Sequence, residues 1–164
     1  MRLQQSRRQF LKTTATGVAL SALSYSRVLG ANDRISIGII GCGSRGIGVH
    51  MPSVHKHAQS QNIEITAVCD PWRVRTQMAS EKAQQWYGRP ARQFVSYRDL
   101  LALKDVDAVM IASCDHQHTT HLKAAAEAGK DAYCEKPLAR RLDRLRDAVD
   151  AVKRARTVVQ IGTQ

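Results

Sequence analysis

From residue 34 onward, short and densely apolar runs alternate with longer stretches in which apolar residues recur every three or four positions. Ile35, Ile37, Ile39 and Ile40 form a β-branched run of the kind a buried parallel strand requires. Residues 63–69 alternate and then turn apolar, predicting a second strand, and 93–95 predict a short third. A buried fourth strand is expected over 107–113, a fifth over 131–134 and a sixth over 158–161. Between these runs the period lengthens. Residues 47–57 read as a helix that Pro52 interrupts. Residues 72–87 predict a helix with Val74, Met78, Ala79, Ala83 and Trp86 on its inward face, closed by Gly88 and Pro90. A brief helix is expected over 97–103, and one over 118–128 that Gly129 stops. The last, over 142–155, turns Leu142, Leu145, Val149 and Val152 inward, and Ala139 and Arg140 give it no N-cap oxygen. Strands separated by helices of this length build right-handed βαβ units. The expected fold class is therefore α/β, a doubly wound parallel sheet of six strands.

The first strand runs into Gly41, Gly43 and Gly46, spaced G-x-G-x-x-G where strand must turn into helix. The first glycine makes the tight turn, the second lets the backbone approach a pyrophosphate, and the third lets helix and strand pack closely. Phosphates would sit at the helix N-terminus, where free N–H groups and the dipole favour an anion. Gly41, Gly43, Ser44, Arg45 and Gly46 are the candidate phosphate-binding set. Asp70 ends the second strand, where a carboxylate can accept both ribose hydroxyls and so favours NAD. Arg73 and Arg75 follow closely and leave NADP open, and Asp70 could equally cap the next helix, with Pro71 at its first position.

Charge alters this picture little. The chain of 164 residues carries 25 Lys and Arg against 14 Asp and Glu, a formal +11. Arg2, Arg7, Arg8, Lys12 and Arg27 lie in the first thirty residues, which hold no acid. Much of the remainder lies on the last helix, at Arg140, Arg141, Arg144, Arg146, Lys153, Arg154 and Arg156, interspersed with acids as on a solvated face. Aromatics are only 5%, too few for a nucleic-acid-binding surface of stacked bases. Ser6-Arg7-Arg8-Gln9-Phe10-Leu11-Lys12 resembles the twin-arginine export motif, followed by a weakly apolar stretch and small or aliphatic residues at Val28 and Gly30 for a signal peptidase. We therefore expect a signal peptide over 1–30, a periplasmic or secreted protein without a stable membrane anchor, and a nucleotide-binding domain over 31–164. Cys42, Cys69, Cys114 and Cys134 form no C-x-x-C pair and read as buried small apolar residues.

Further candidate chemistry falls at the ends of the fourth and fifth strands, which in an open α/β sheet border the ligand crevice. Ser113, Asp115 and His118 are expected on the cofactor side. His116, His118 and His121 cluster, but no carboxylate or cysteine completes a zinc set at a recognised spacing, and no metal is assigned. His50, His55 and His57 read as surface histidines. Glu135-Lys136-Pro137 places a lysine between a carboxylate and a proline-fixed turn, where desolvation can make it a proton donor or acceptor.

Together, Gly41-Cys-Gly-Ser-Arg-Gly46, Asp70, Ser113-Cys-Asp-His-Gln-His118, Ala128-Gly-Lys-Asp131 and Glu135-Lys-Pro137 resemble the N-terminal domain of the Gfo/Idh/MocA oxidoreductases, over the whole chain after residue 34. The resemblance implies a nicotinamide cofactor and oxidation or reduction of a sugar or polyol. It further implies that Lys136 meets both the nicotinamide and the substrate hydroxyl, with Glu135 orienting it. Cys114 stands where the family usually has proline, and Arg140-Arg141 replaces the usual helix-capping region. Family members continue into a second α/β domain that supplies substrate contacts; by that measure the second domain is absent here, and a non-catalytic nucleotide-binding fragment is a rival reading. Homo-oligomerisation stays open. The superfamily also holds NAD-dependent glycosidases, a group that lacks the lysine of Glu-Lys-Pro, so Lys136 argues for a dehydrogenase.

Overall fold

The computed structural model describes residues 34–163. The export motif and the rest of the expected signal lie outside the described residues. Strands β1 (Ile35–Ile40), β2 (Ile63–Cys69), β3 (Arg92–Phe94), β4 (Ala108–Ile111), β5 (Asp131–Glu135) and β6 (Val159–Gly162) form one sheet in the order β3-β2-β1-β4-β5-β6. Every neighbouring pair is parallel. The chain thus winds outward from β1 in one direction and, after β3, crosses to β4 and winds the other way. That reversal opens a crevice beyond the C-terminal ends of β1 and β4.

Helix α1 comprises a π-helical turn, Gly46–His50, running into Met51–His57; α2 is Arg73–Tyr87, α3 Tyr97–Leu101, α4 His118–Glu127 and α5 Leu142–Ala155. Two apolar layers cover the sheet. On one face Ile37, Ile39, Ile65 and Val68 meet Met51 and Val54 of α1 and Ala79 and Ala83 of α2. On the other, Ile40, Val109 and Ile111 meet Leu100, Leu122, Ala125 and Ala148 from α3, α4 and α5. Helices on both faces explain why β1 is buried at five of its six positions.

Three local expectations change. Pro52 does not interrupt α1. The Met51 N–H reaches back five residues to the Gly46 carbonyl, and this wider turn comes just before the proline whose missing N–H and ring an ordinary α-turn would have to accommodate. The inward residues of α2 are Thr76, Ala79, Ser80 and Ala83, while Val74 and Met78 are exposed. The Ser80 hydroxyl donates to the Ala91 carbonyl at 2.8 Å, so hydrogen bonding joins the apolar contacts of Ala79 and Ala83 in seating that face. On α5 the buried residues are Ala148 and Ala151; Leu145, Val149 and Val152 flank them half-buried and Leu142 is exposed. Small residues there let α5 lie close to the layer beneath. Its N-cap, Arg141, makes no side-chain capping bond and pairs instead with Asp143 at 2.8 Å. Cys42, Cys69 and Cys134 are buried as expected, with thiols pushed up to about 12 chiefly by burial; Cys114 is exposed.

Among the described residues no helix is long and apolar enough to cross a membrane, and no cluster of three or more His, Cys, Asp or Glu is placed to hold a metal ion.

Candidate functional site

The three glycines of the β1–α1 turn are required in two different ways. Gly41 has φ +98°, and a Cβ on it would fall 2.5 Å from the Ser113 nitrogen of the neighbouring strand end. A Cβ on Gly46 would fall on the Gly41 carbonyl oxygen. These two glycines fold the turn. Gly43 is different: a Cβ there meets nothing within 4 Å. Its backbone faces a cleft of about 700 Å³ lined by Gly41, Ser44, Arg45, Asp70, Ser113 and others. An open glycine at a helix N-terminus, beside such a cleft, fits a dinucleotide diphosphate.

Asp70 holds the loop as well as facing the cleft. Its Oδ2 accepts the Cys42 N–H at 2.9 Å and its Oδ1 accepts the Trp72 N–H at 2.9 Å. The helix then begins at Arg73 with Trp72 as N-cap, so Pro71 precedes it rather than standing at its first position. A carboxylate has about four lone-pair sites, so two backbone bonds leave capacity for ribose hydroxyls.

Another wall of the cleft comes from Ala112 to Cys114 just after β4, the short 3₁₀ turn Asp115–Gln117 and His121 in the first turn of α4. Ser113 Oγ lies 2.9 Å from His121 Nδ1, and Tyr97 packs on the His121 ring. Burial, reinforced by repulsion from His118, Arg98 and His116, holds His121 down at about 4, so it is neutral at pH 7. His118 is buried and lines the smaller pocket described next, not the large cleft. Its Nδ1 lies 2.8 Å from the Pro137 carbonyl and its Nε2 2.9 Å from the Ser113 carbonyl, tying the turn after β5 to the end of β4.

A second, smaller pocket of about 280 Å³ is lined by Arg45, Ala112, Ser113, Asp115, His118, Glu135 and Lys136. It shares Arg45, Ala112 and Ser113 with the large cleft, so the two lie side by side at the ends of β1, β4 and β5. Lys136 is exposed there and Asp115 is exposed at its rim. Glu135, 4% exposed, is used otherwise than the sequence suggested. Its Oε1 accepts Arg45 Nε–H at 2.7 Å and lies 2.9 Å from His50 Nε2, and its Oε2 accepts the backbone N–H of Lys136 at 3.2 Å. The carboxylate fixes the root of Lys136, not its amine. Burial opposes the charge on Glu135, but the Arg45 hydrogen bond, the Lys136 N–H and the Arg45 and His50 charges outweigh it and hold the carboxyl below its ordinary range.

His50 is therefore not a surface residue: it is 3% exposed and packs edge-on against Tyr133. Burial lowers its pKa more than Glu135 raises it. His55 is half-buried, stacked on Trp86 at 4.3 Å, and His57 alone of the three is exposed. Sequence periodicity misses His50 because an α-helical count from Arg45 points the two residues apart, and only the π-turn brings them together.

Residues 35–163 match the family described as the oxidoreductase family, NAD-binding Rossmann fold, Gfo/Idh/MocA. Among relatives, a glycosyl hydrolase family 109 protein of Shewanella sp. (strain ANA-3) is 36% identical over 90% of this chain and 37% of its own length. An inositol 2-dehydrogenase/D-chiro-inositol 3-dehydrogenase of Shouchella clausii is 33% identical over 78% of this chain and 35% of its own. The WlbA dehydrogenase of Chromobacterium violaceum, solved with NADH and UDP-GlcNAcA, superimposes with a TM-score of 0.70 at 28% identity, covering 79% of this chain and 35% of that one. The chain thus spans little more than a third of the length of these proteins. With the 3-2-1-4-5-6 sheet, the glycine turn and the paired pockets, these matches show that the chain belongs to the Gfo/Idh/MocA oxidoreductase family and carries its NAD-binding Rossmann domain.

Proposed function

We propose that this chain is the cofactor-binding part of an exported oxidoreductase that acts on a sugar or polyol hydroxyl. The observation that carries the reading is Lys136: an exposed amine on a turn tied down at Glu135 and Pro137, in a pocket that adjoins the dinucleotide cleft. Gly43 and Ser44 would meet the diphosphate, and Asp70 the adenosine ribose. The nicotinamide, when bound, supplies the hydride donor or acceptor. Lys136 takes the hydroxyl proton as the alcohol is oxidised, or returns it on reduction. Ser113, Asp115 and Arg45 line the cofactor side of that pocket, and His118 positions the turn from behind.

The test is turnover of the longest native polypeptide on a panel of sugars and polyols. Net NADH formation equal to product formed, lost in Lys136→Met, is expected. A second reading has specific support, since a glycosyl hydrolase family 109 protein is among the relatives at 36% identity. An NAD-dependent glycosidase oxidises its sugar only transiently, so it would release a free sugar with no net change in cofactor, and that outcome would displace the dehydrogenase reading. Lys136 supports the dehydrogenase.

Export rests on Arg7 and Arg8. Changing both to lysine is expected to retain the protein in the cytoplasm; unchanged periplasmic recovery would remove the twin-arginine assignment.

A further inference from the structure

Arg45, His50 and Glu135 come from two elements with β4 lying between them in the sheet, yet they converge on one carboxylate oxygen. Arg45 belongs to the glycine turn and His50 to the π-turn that follows; Glu135 ends β5. Residues five apart on an α-helix point about 140° away from each other. In a π-turn, which closes a hydrogen bond over five residues, they stack on one face. The Met51-to-Gly46 bond marks that turn here, and it is the reason one carboxylate can meet both side chains. Glu135 Oε2 meanwhile holds the backbone of Lys136. The result is a continuous tie from the glycine turn to the root of the lysine.

We propose that His50 is a positioning residue, the buried member of an Arg45–Glu135–His50 unit that fixes Lys136 and the glycine turn relative to each other. This deepens the oxidoreductase reading and rests on it. His50 touches neither pocket; it acts through Glu135. Nε2 stands 2.9 Å from Glu135 Oε1 but out of line for a good hydrogen bond, so its contribution is to fill and polarise the space behind the carboxylate. With Tyr133 against its ring and Arg45 on the far side of the same oxygen, it confines Glu135 to one rotamer. Without it the carboxylate can turn back into the vacated space, and both the Arg45 and the Lys136 bonds lengthen.

The experiment reads those bonds directly, by NMR on the full chain. In the wild type the Arg45 Nε–H and the Lys136 amide should exchange slowly with solvent. In His50→Ala both should exchange at least about tenfold faster, and NADH affinity should fall by roughly tenfold, the scale of losing a charge-assisted hydrogen bond. His50→Gln, which refills most of the space behind the carboxylate with a polar side chain, should recover most of both. A merely structural role would lower melting temperature without moving these two protons selectively. Unchanged exchange at Arg45 and Lys136 in a folded His50→Ala protein overturns the proposal. Should the alanine variant fail to fold, the same two signals are read in His50→Asn, whose shorter side chain cannot fill the space, and unchanged signals there overturn it equally. Wild-type protein that binds no NADH would overturn the dinucleotide reading instead, while leaving the exchange result to judge the unit itself.

Discussion

Gly43 and Gly46 stand three residues apart in one motif and answer to different constraints. At Gly46 an added methyl would collide with the Gly41 carbonyl, and backbone cannot yield as a side-chain tip can. Gly46→Ala should therefore cost at least about 2 kcal/mol of stability, as overpacking of a rigid site does. At Gly43 the methyl has open space. Gly43→Ala should leave stability within about 0.5 kcal/mol of wild type while obstructing the diphosphate. Urea unfolding and NADH titration of both variants check the split; a Gly43→Ala protein that binds NADH normally would show that the diphosphate lies elsewhere. The motif spacing made both glycines legible, because it encodes a turn. It could not say which glycine serves the fold and which the ligand.

Histidines were the least legible residues, since their role depends on where burial leaves them. His121 is held at about 4 against an ordinary 6.5. Its folded form therefore resists a proton that the unfolded chain accepts readily. Above pH 6.5 it is neutral in both states; as pH falls toward 4 the unfolded state gains the proton first, and stability is lost. Between pH 7 and pH 5 the loss from His121 should be about 2 kcal/mol. His50, also lowered, adds loss of the same sign. Glu135, held below its ordinary value, begins to add loss of the same sign as pH nears that value and does not oppose it. Unfolding free energies at pH 7 and pH 5 measure the loss, and His121→Gln should flatten it; equal pH dependence in the two proteins would contradict the assignment.

Elements were read well where one face of the pattern is apolar and poorly where polar groups or small residues decide the packing. The six strands stand close to where the short apolar runs placed them, most plainly β1, which is covered on both sides and buried at five of its six positions. Their ends moved by one or two residues, as at β3, which begins with Arg92, and β4, which stops at Ile111. The inward faces of α2 and α5 misled for one reason. Thr76 and Ser80 are buried through bonds to Gln93 and the Ala91 carbonyl, and Ala148 and Ala151 through their small size, neither of which a hydrophobic count registers. The Ala128-Gly-Lys-Asp131 segment shows the converse. Gly129 (φ +70°) turns the chain out of α4, Lys130 donates to the Leu103 carbonyl, and Asp131 accepts the Val158 N–H. That motif fastens the end of α4 and the start of β5 to their neighbours. The π-turn left no periodic signal at all; Pro52 was its only trace, and as a sequence feature it pointed to a broken helix.

At the scale of the whole molecule the site divides into what the described residues hold and what they leave open. The glycine turn, Asp70 and the wall from Ser113 to His121, to which we assign the dinucleotide, all belong to residues 41–121. On that assignment, binding a dinucleotide asks for nothing beyond one sheet and its crevice. Catalysis asks for more. The substrate carbon must be held within about 3–3.5 Å of its reaction partner, and loss of that positioning alone can forfeit roughly 7–11 kcal/mol. Lys136 stands exposed on one side of its pocket, while the relatives run to nearly three times the length that this chain spans. The far wall of the substrate site is therefore expected from polypeptide corresponding to that remaining length. We expect residues 31–164 to bind NADH, seen as a change in its fluorescence that Asp70→Ala weakens by about 1–3 kcal/mol. Steady-state turnover of sugars or polyols should be absent, and should emerge when a second domain of the relatives' kind is joined in the same chain. Robust turnover by 31–164 alone, abolished by Lys136→Met, would show that the single domain already holds its substrate.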